Sequence, residues 1–148
     1  MLVSNLDHLN LSVRNFEETV HWYNKIFAFN LVEQGIQDGM PWGVIRCNDA
    51  ILCIYEAQDS FLPSKLEMKK KGLHYLAHFG LRITDKESWE NIITREPLPL
   101  LYDGVIQWPH SLAWYINDST GWEIEVVYWE NDTISFWWFR IRWIWKIG

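Results

Sequence analysis

Leu76-Ala77-His78-Phe79-Gly80-Leu81-Arg82-Ile83-Thr84-Asp85 repeats an order of residues already present at Leu6-Asp7-His8-Leu9-Asn10-Leu11-Ser12-Val13. In both stretches a histidine opens a run that alternates between apolar and other side chains, and His78 follows His8 by 70 positions. A second pair recurs at nearly the same interval. Asn48-Asp49 leads through six residues to Glu56, Asn117-Asp118 leads through six residues to Glu125, and the glutamates are 69 positions apart. Two copies of one supersecondary unit are therefore expected, each carrying one histidine and one glutamate. Agreement between two copies is stronger evidence than either motif alone.

The first copy reads as β-α-β-β-β. Leu6 to Val13 has strand period, with Leu9, Leu11 and Val13 on one face and His8, Asn10 and Ser12 on the other. Asn15 with Glu18 has the spacing of a helix N-cap, and Phe16, Val20, Tyr23, Ile26 and Phe27 recur at helical intervals behind it. Strands are predicted over Phe29 to Glu33, ended by Gly35 and by Asp38-Gly39, then over Trp42 to Cys47 and Ile51 to Glu56. The second copy follows suit. A strand runs from Leu76 to Thr84, a helix capped by Asp85 carries Trp89, Ile92 and Ile93 and stops at Pro97 and Pro99, and strands follow at Leu100 to Tyr102, Leu112 to Ile116 and Trp122 to Tyr128. The fold class expected is α+β, two paired βαβββ modules forming an open, cup-shaped mixed sheet. Module one spans residues 1–58, a linker 59–73 and module two 74–130, all within one domain, and residues 131–148 form a tail.

A chain of 148 residues needs no second domain, and can bury roughly 70% of its unfolded surface. Its formal charge of −6 and scattered basic residues argue against a nucleic-acid groove, so a small-molecule partner is expected. The run Lys69-Lys70-Lys71 reads as a solvated face, with an anionic-substrate contact or lid as its functional alternative. No signal peptide is expected from the charged, strand-like start and no transmembrane segment from the lengths of the apolar runs, and Cys47 and Cys53 read as free buried thiols. A reducing cytoplasm is the expected location.

Imidazole nitrogen and carboxylate oxygen suit divalent zinc, nickel, cobalt, manganese or iron, and the lack of nearby cysteine argues against a structural thiolate site. Four side chains from separate strands converge only if the two modules fold their sheets toward each other. Singly, Glu56 reads equally well as a charge at a strand end, and Glu125 as a residue alternating with Ile124 and Val126. Their near-equal distances from the histidines, 48 and 47 positions, strengthen the joint case.

The opening Leu6-Asp7-His8-Leu9-Asn10-Leu11-Ser12-Val13, followed by His21-Trp22-Tyr23 and Phe27-Ala28-Phe29, resembles that of the vicinal oxygen chelate superfamily. The ending Tyr115-Ile116-Asn117-Asp118-Ser119-Thr120-Gly121-Trp122-Glu123-Ile124-Glu125 resembles the Asp-Pro-Asp-Gly turn of that group and the glutamate beyond it. The superfamily includes glyoxalase I, bleomycin-resistance proteins, extradiol dioxygenases and thiol transferases acting on fosfomycin. Ser119-Thr120 replaces Pro-Asp in the turn, and Ala28 stands where a glycine is common.

By position, the resemblance implies His8, His78 and Glu125 as metal ligands and Glu56 as the fourth ligand of the glyoxalase I type. It implies a metal-dependent enzyme, a lyase, isomerase, oxygenase or thiol transferase, that stabilises negative charge on adjacent substrate oxygens. In the glyoxalase-like version Glu56 or Glu125 moves the proton, Glu56 being the better candidate. Strand alternation adds Asn10, Ser12, Arg82 and Tyr115 as substrate-binding residues. Arg82 suits a carboxylate or phosphonate, or a structural ion pair, and His110 reads as a mobile acid or base or as a surface-loop residue. The alternative is a metal-free module that sequesters an aromatic drug or metabolite against Trp42, Trp108 and Trp114. A homodimer is expected, with the cup built within one chain or by exchange between two.

From Ile134 to Ile147 the sequence turns to dense aromatics with interspersed bases. That run falls short of the about 20 apolar residues that span a bilayer. It fits packing on the modules, a dimer interface or a membrane surface.

Overall fold

The computed structural model describes residues 5–57 and 63–131. The aromatic tail lies outside the described residues. Module one contains β1 (Leu9–Val13), α1 (Phe16–Phe27), β2 (Asn30–Gln37), β3 (Met40–Cys47) and β4 (Ala50–Glu56). A short α2 (Lys65–Lys70) precedes module two, which contains β5 (Phe79–Ile83), α3 (Lys86–Arg95), β6 (Ile106–Trp108), β7 (Ser111–Asn117) and β8 (Glu123–Trp129). Each module forms a four-stranded mixed sheet, ordered β1-β4-β3-β2 and β5-β8-β7-β6. The first strand pairs in parallel with the last in both, and the other pairs are antiparallel.

Alternation decides which face of each sheet is buried. Leu11, Val13, Leu52 and Ile54 turn inward in module one, and Trp114, Ile116, Ile124 and Val126 in module two. These side chains and the helices form one core. Phe27 at the end of α1 stacks on Trp89 of α3 at 5.6 Å between ring centroids, and Trp89 meets Trp114 edge-on. Lys25 of α1 pairs with Glu96 beyond α3. The buried Trp89 Nε1 has no hydrogen-bond partner among the described residues, so its indole is kept for its apolar bulk.

The helix starts follow the sequence. Asn15 accepts from the Glu18 N–H and Asp85 from the Ser88 N–H. At the other end of α1, Ala28 takes up the left-handed conformation (φ 57°, ψ 27°), donating to Asn24 O while Phe29 N–H donates to Tyr23 O. That conformation carries a Cβ penalty, which explains why a glycine suits this site better.

Three expected elements differ. Gly35 lies inside β2, paired with Trp42 of β3, and does not end it; the Trp42 indole lies across it, 2.9 Å from where a Cβ would stand, which suits a glycine there. The strand expected at Leu100 to Tyr102 is a turn with Tyr102 and Asp103 at positive φ, and the outer strand of that sheet is Ile106–Trp108. The linker, expected to be without regular structure, forms α2 behind a capping box of Ser64 and Glu67.

The two modules are clamped by Asp118. Its Oδ1 accepts from the N–H groups of Thr120, Gly121 and Trp122, and its Oδ2 accepts from the Tyr23 hydroxyl of α1 at 2.9 Å. Burial pushes the Asp118 carboxyl above its usual range, with these donors pulling it back. Trp122 Nε1 donates to Ser12 O, and Arg14 N–H donates to Thr120 Oγ1. The turn thus grips β1 and α1 from across the module boundary.

Two outcomes follow for stability, both read from urea denaturation. Replacing Tyr23 by Phe leaves a buried carboxylate oxygen one donor short and is expected to cost about 1–3 kcal/mol. Ala28→Gly relieves the left-handed Cβ and is expected to stabilise the fold by about 1 kcal/mol.

Candidate metal centre

The residues that carry chemistry gather on the polar face of the second sheet. Register fixes this. Glu125 stands opposite Gly80 on β5 and opposite Tyr115 on β7, so Glu125, Tyr115 and, two residues before Gly80, His78 share the face turned away from the helices. Gly80 adds no side chain there and leaves the space beside Glu125 open.

His78 Nε2 lies 3.4 Å from Glu125 Oε2. Two ligands about 2.1 Å from a common ion, at a tetrahedral angle, stand about 3.4 Å apart. The pair therefore has the separation of neighbouring ligands, and its donor atoms fit a divalent metal. The Tyr115 hydroxyl donates to Glu125 Oε1 at 2.9 Å, and its ring meets the His78 imidazole edge-on. Burial first, then the Glu125 carboxylate, push the Tyr115 hydroxyl well above the ordinary tyrosine range, so it remains a donor.

A second carboxylate sits beside the first. Glu123 is two residues before Glu125 on the same face, with only 6% of its side chain exposed. Its Oε2 takes a 2.5 Å contact from Lys65 Nζ of α2, and its Oε1 accepts from the Tyr102 hydroxyl at 3.0 Å. Tyr102 also packs edge-on against Tyr115. Lys65, Tyr102 and Glu123 did not emerge from the sequence as site residues. The alternation Glu123-Ile124-Glu125 was the available signal for Glu123. Nothing local announced the other two, which arrive from the linker and from a turn.

The remaining candidates are placed as follows. His8 precedes β1 on the face that carries Asn10 and Ser12, and its Nδ1 lies 2.7 Å from Asp7 Oδ2. No group of three His, Cys, Asp or Glu side chains among the described residues lies close enough together to hold a metal ion, so His8 does not join His78 and Glu125 in this single chain. Glu56 is on the wrong side for the role expected of it. It partners Val13 in register, on the buried face, and its Oε2 accepts from the Phe16 N–H at 2.7 Å at the start of α1. A carboxylate is favoured there by the unpaired N–H groups and the helix dipole.

Arg82 and His110 are placed as follows. Arg82 shares the face of Glu125, but its Nη2 donates to Asn131 O beyond the end of β8. His110 lies in the β6–β7 turn, and the five residues of strand separating it from Tyr115 amount to about 17 Å. Of the aromatic lining proposed for a metal-free cup, Trp114 is buried against Trp89 on the helix side and Trp108 is on the outer strand. Trp42 does lie on the polar face of module one, stacked on Tyr55 at 6.1 Å.

Residues 5–126 match the family model of the Glyoxalase/Bleomycin resistance protein/Dioxygenase superfamily. Among solved structures, the chain is similar to a glyoxylase/bleomycin resistance protein/dioxygenase domain from Frankia sp. EAN1pec (TM-score 0.71, 12% identity, 88% of this chain and 96% of that one). It is similar also to lactoylglutathione lyase from Agrobacterium tumefaciens (TM-score 0.62, 19% identity, 86% and 96%). A third similar structure is a fosfomycin resistance protein, FosX, from Listeria monocytogenes complexed with Mn(II) and sulfate (TM-score 0.62, 14% identity, 86% and 93%). No curated protein sequence is significantly similar to the chain. No helix among the described residues is long and apolar enough to cross a membrane. With its paired modules, parallel first and last strands and the match over residues 5–126, the chain belongs to the Glyoxalase/Bleomycin resistance protein/Dioxygenase superfamily.

Proposed function

We propose that the protein is a divalent-metal-dependent enzyme acting on a small molecule that presents adjacent oxygen atoms. The observation that carries this reading is the 3.4 Å approach of His78 Nε2 to Glu125 Oε2 on an otherwise open polar sheet face. In a homodimer, His8 of the partner subunit would complete the ligand set, since His8 forms no cluster with His78 and Glu125 within one chain. A bound divalent ion would supply Lewis acidity toward substrate oxygen. Manganese is a reasonable first choice, since a similar fold is found complexed with Mn(II).

The chain's own groups have separable tasks. His78 and Glu125 would hold the ion, and the Tyr115 hydroxyl keeps Glu125 in place through Oε1. The Tyr115 hydroxyl, held protonated, donates a hydrogen bond to a substrate oxygen that displaces it from Glu125. Tyr102 and Tyr115, packed edge-on, form an aromatic wall that orients the ligand. Asn10 and Ser12, on the polar face that carries His8, contribute substrate contacts from the other module. Glu56 has no part in this scheme, being engaged at the start of α1. A lyase or isomerase of α-ketoaldehyde thiol adducts, a catechol dioxygenase and an epoxide-opening enzyme all meet this description.

Calorimetric titration with Mn(II) is the test. One ion per chain is expected for the wild type, and His78→Ala or Glu125→Ala is expected to weaken binding more than about 100-fold, beyond the usual effect of outer-shell groups. Glu56→Ala should keep its metal while losing about 1 kcal/mol of stability through its lost cap. Co-expressed His8→Ala and Glu125→Ala chains decide the exchange. Mixed dimers regain one intact site if ligands cross between chains and none if they do not. A wild-type protein that takes up no divalent ion overturns the proposal.

The stacked Trp42–Tyr55 pair favours a second reading, a metal-free binder of planar ligands. Under it, quenching of tryptophan fluorescence by an aromatic ligand is unchanged by chelator and abolished in Trp42→Ala.

A further inference from the structure

Both histidines have a carboxylate at the same ring nitrogen. Asp7 Oδ2 lies 2.7 Å from His8 Nδ1, and Glu123 Oε1 lies 3.9 Å from His78 Nδ1. The opposite nitrogen of His78, Nε2, is the one that faces Glu125. We propose that Asp7 and Glu123 are positioning residues that hold the two imidazoles with Nδ1 protonated and Nε2 presented to the metal. The inference rests on the ligand roles assigned above to His8 and His78.

The chemistry is that of a neutral imidazole, which carries one proton and offers one lone pair. A carboxylate at Nδ1 draws the proton there, leaves the lone pair on Nε2 and fixes the ring's rotation. The two carboxylates achieve this differently. Asp7 is the chain neighbour of His8 and is 87% exposed, so it acts by adjacency. Glu123 is held at Oε2 by Lys65 Nζ and at Oε1 by the Tyr102 hydroxyl, with Oε1 3.9 Å from the imidazole Nδ1. Its separation from Nδ1 is that of an ion pair. A shift of about 1 Å brings it to hydrogen-bond length. Lys65 also neutralises the second oxygen, so two carboxylates two residues apart are tolerated beside one ion. Tethering Glu123 to α2 makes the linker part of the metal site's support.

The test compares Mn(II) affinity in the wild type, Asp7→Ala, Asp7→Asn, Glu123→Ala and Glu123→Gln. Each alanine variant should keep the wild-type stoichiometry and weaken binding about 10- to 100-fold, and the amide variants, which retain an acceptor oxygen, should recover most of that loss. Asp7 is exposed, so its variants remain informative if Glu123→Ala folds poorly. Nitrogen-15 spectra of the Zn(II)-loaded protein should show both histidines ligating through Nε2. Wild-type affinity in both alanine variants, or ligation through Nδ1, overturns this inference and leaves the metal site standing. A wild type that binds neither Mn(II) nor Zn(II) overturns the metal site and this inference with it.

Discussion

Asp118 is the constraint on which the arrangement depends. One carboxylate accepts three consecutive backbone N–H groups of its own turn and the hydroxyl of Tyr23 from the other module. A buried carboxylate is costly unless satisfied in this way, and its satisfaction here demands that turn and helix meet in one geometry. Gly121, at φ 113°, lets the chain leave the turn without strain. The next residues, Trp122 and Glu123, then enter β8, with Trp122 Nε1 fastened to Ser12 O of β1. The same turn that locks the modules together therefore sets the starting register of the strand that carries both site glutamates.

The site uses this rigidity asymmetrically. Module two brings His78, Glu123, Glu125, Tyr102 and Tyr115 into one network, whereas module one offers His8 with Asp7 and an aromatic pair. The difference comes from one residue of spacing. Glutamate follows histidine by 48 positions in the first copy and 47 in the second. A strand has a period of two, so such a change, combined with each sheet's own register, turns a side chain from one face to the other. Glu125 falls opposite Gly80 on the open face, and Glu56 falls beside Val13 on the helix face, where it serves the start of α1. Tyr55 takes the outward position next to it.

Repeats in sequence are thus good witnesses to a repeated scaffold and weaker ones to repeated chemistry. The α helices, their Asn15 and Asp85 caps and most strands were legible because each rests on local periodicity or a short side-chain to backbone bond. The misplaced strand near Leu100 and the interior Gly35 were not, since one depends on two positive-φ residues and the other on where the Trp42 ring comes to lie. His110 precedes the strand of Tyr115 in the chain, which says nothing of the distance along that strand, and alternation puts Arg82 on the Glu125 face without naming its partner.

The sequence by itself determined the duplicated βαβββ plan, the identity of the inward apolar faces and the presence of His78 and Glu125 on a polar one, because side-chain alternation and capping are written into neighbouring residues. Only the tertiary structure decided that Glu56 caps a helix, that Lys65 and Tyr102 converge on Glu123, and that His8 forms no cluster with His78 and Glu125. Those outcomes follow from strand register and from the packing of distant segments, and both are fixed by contacts between residues tens of positions apart.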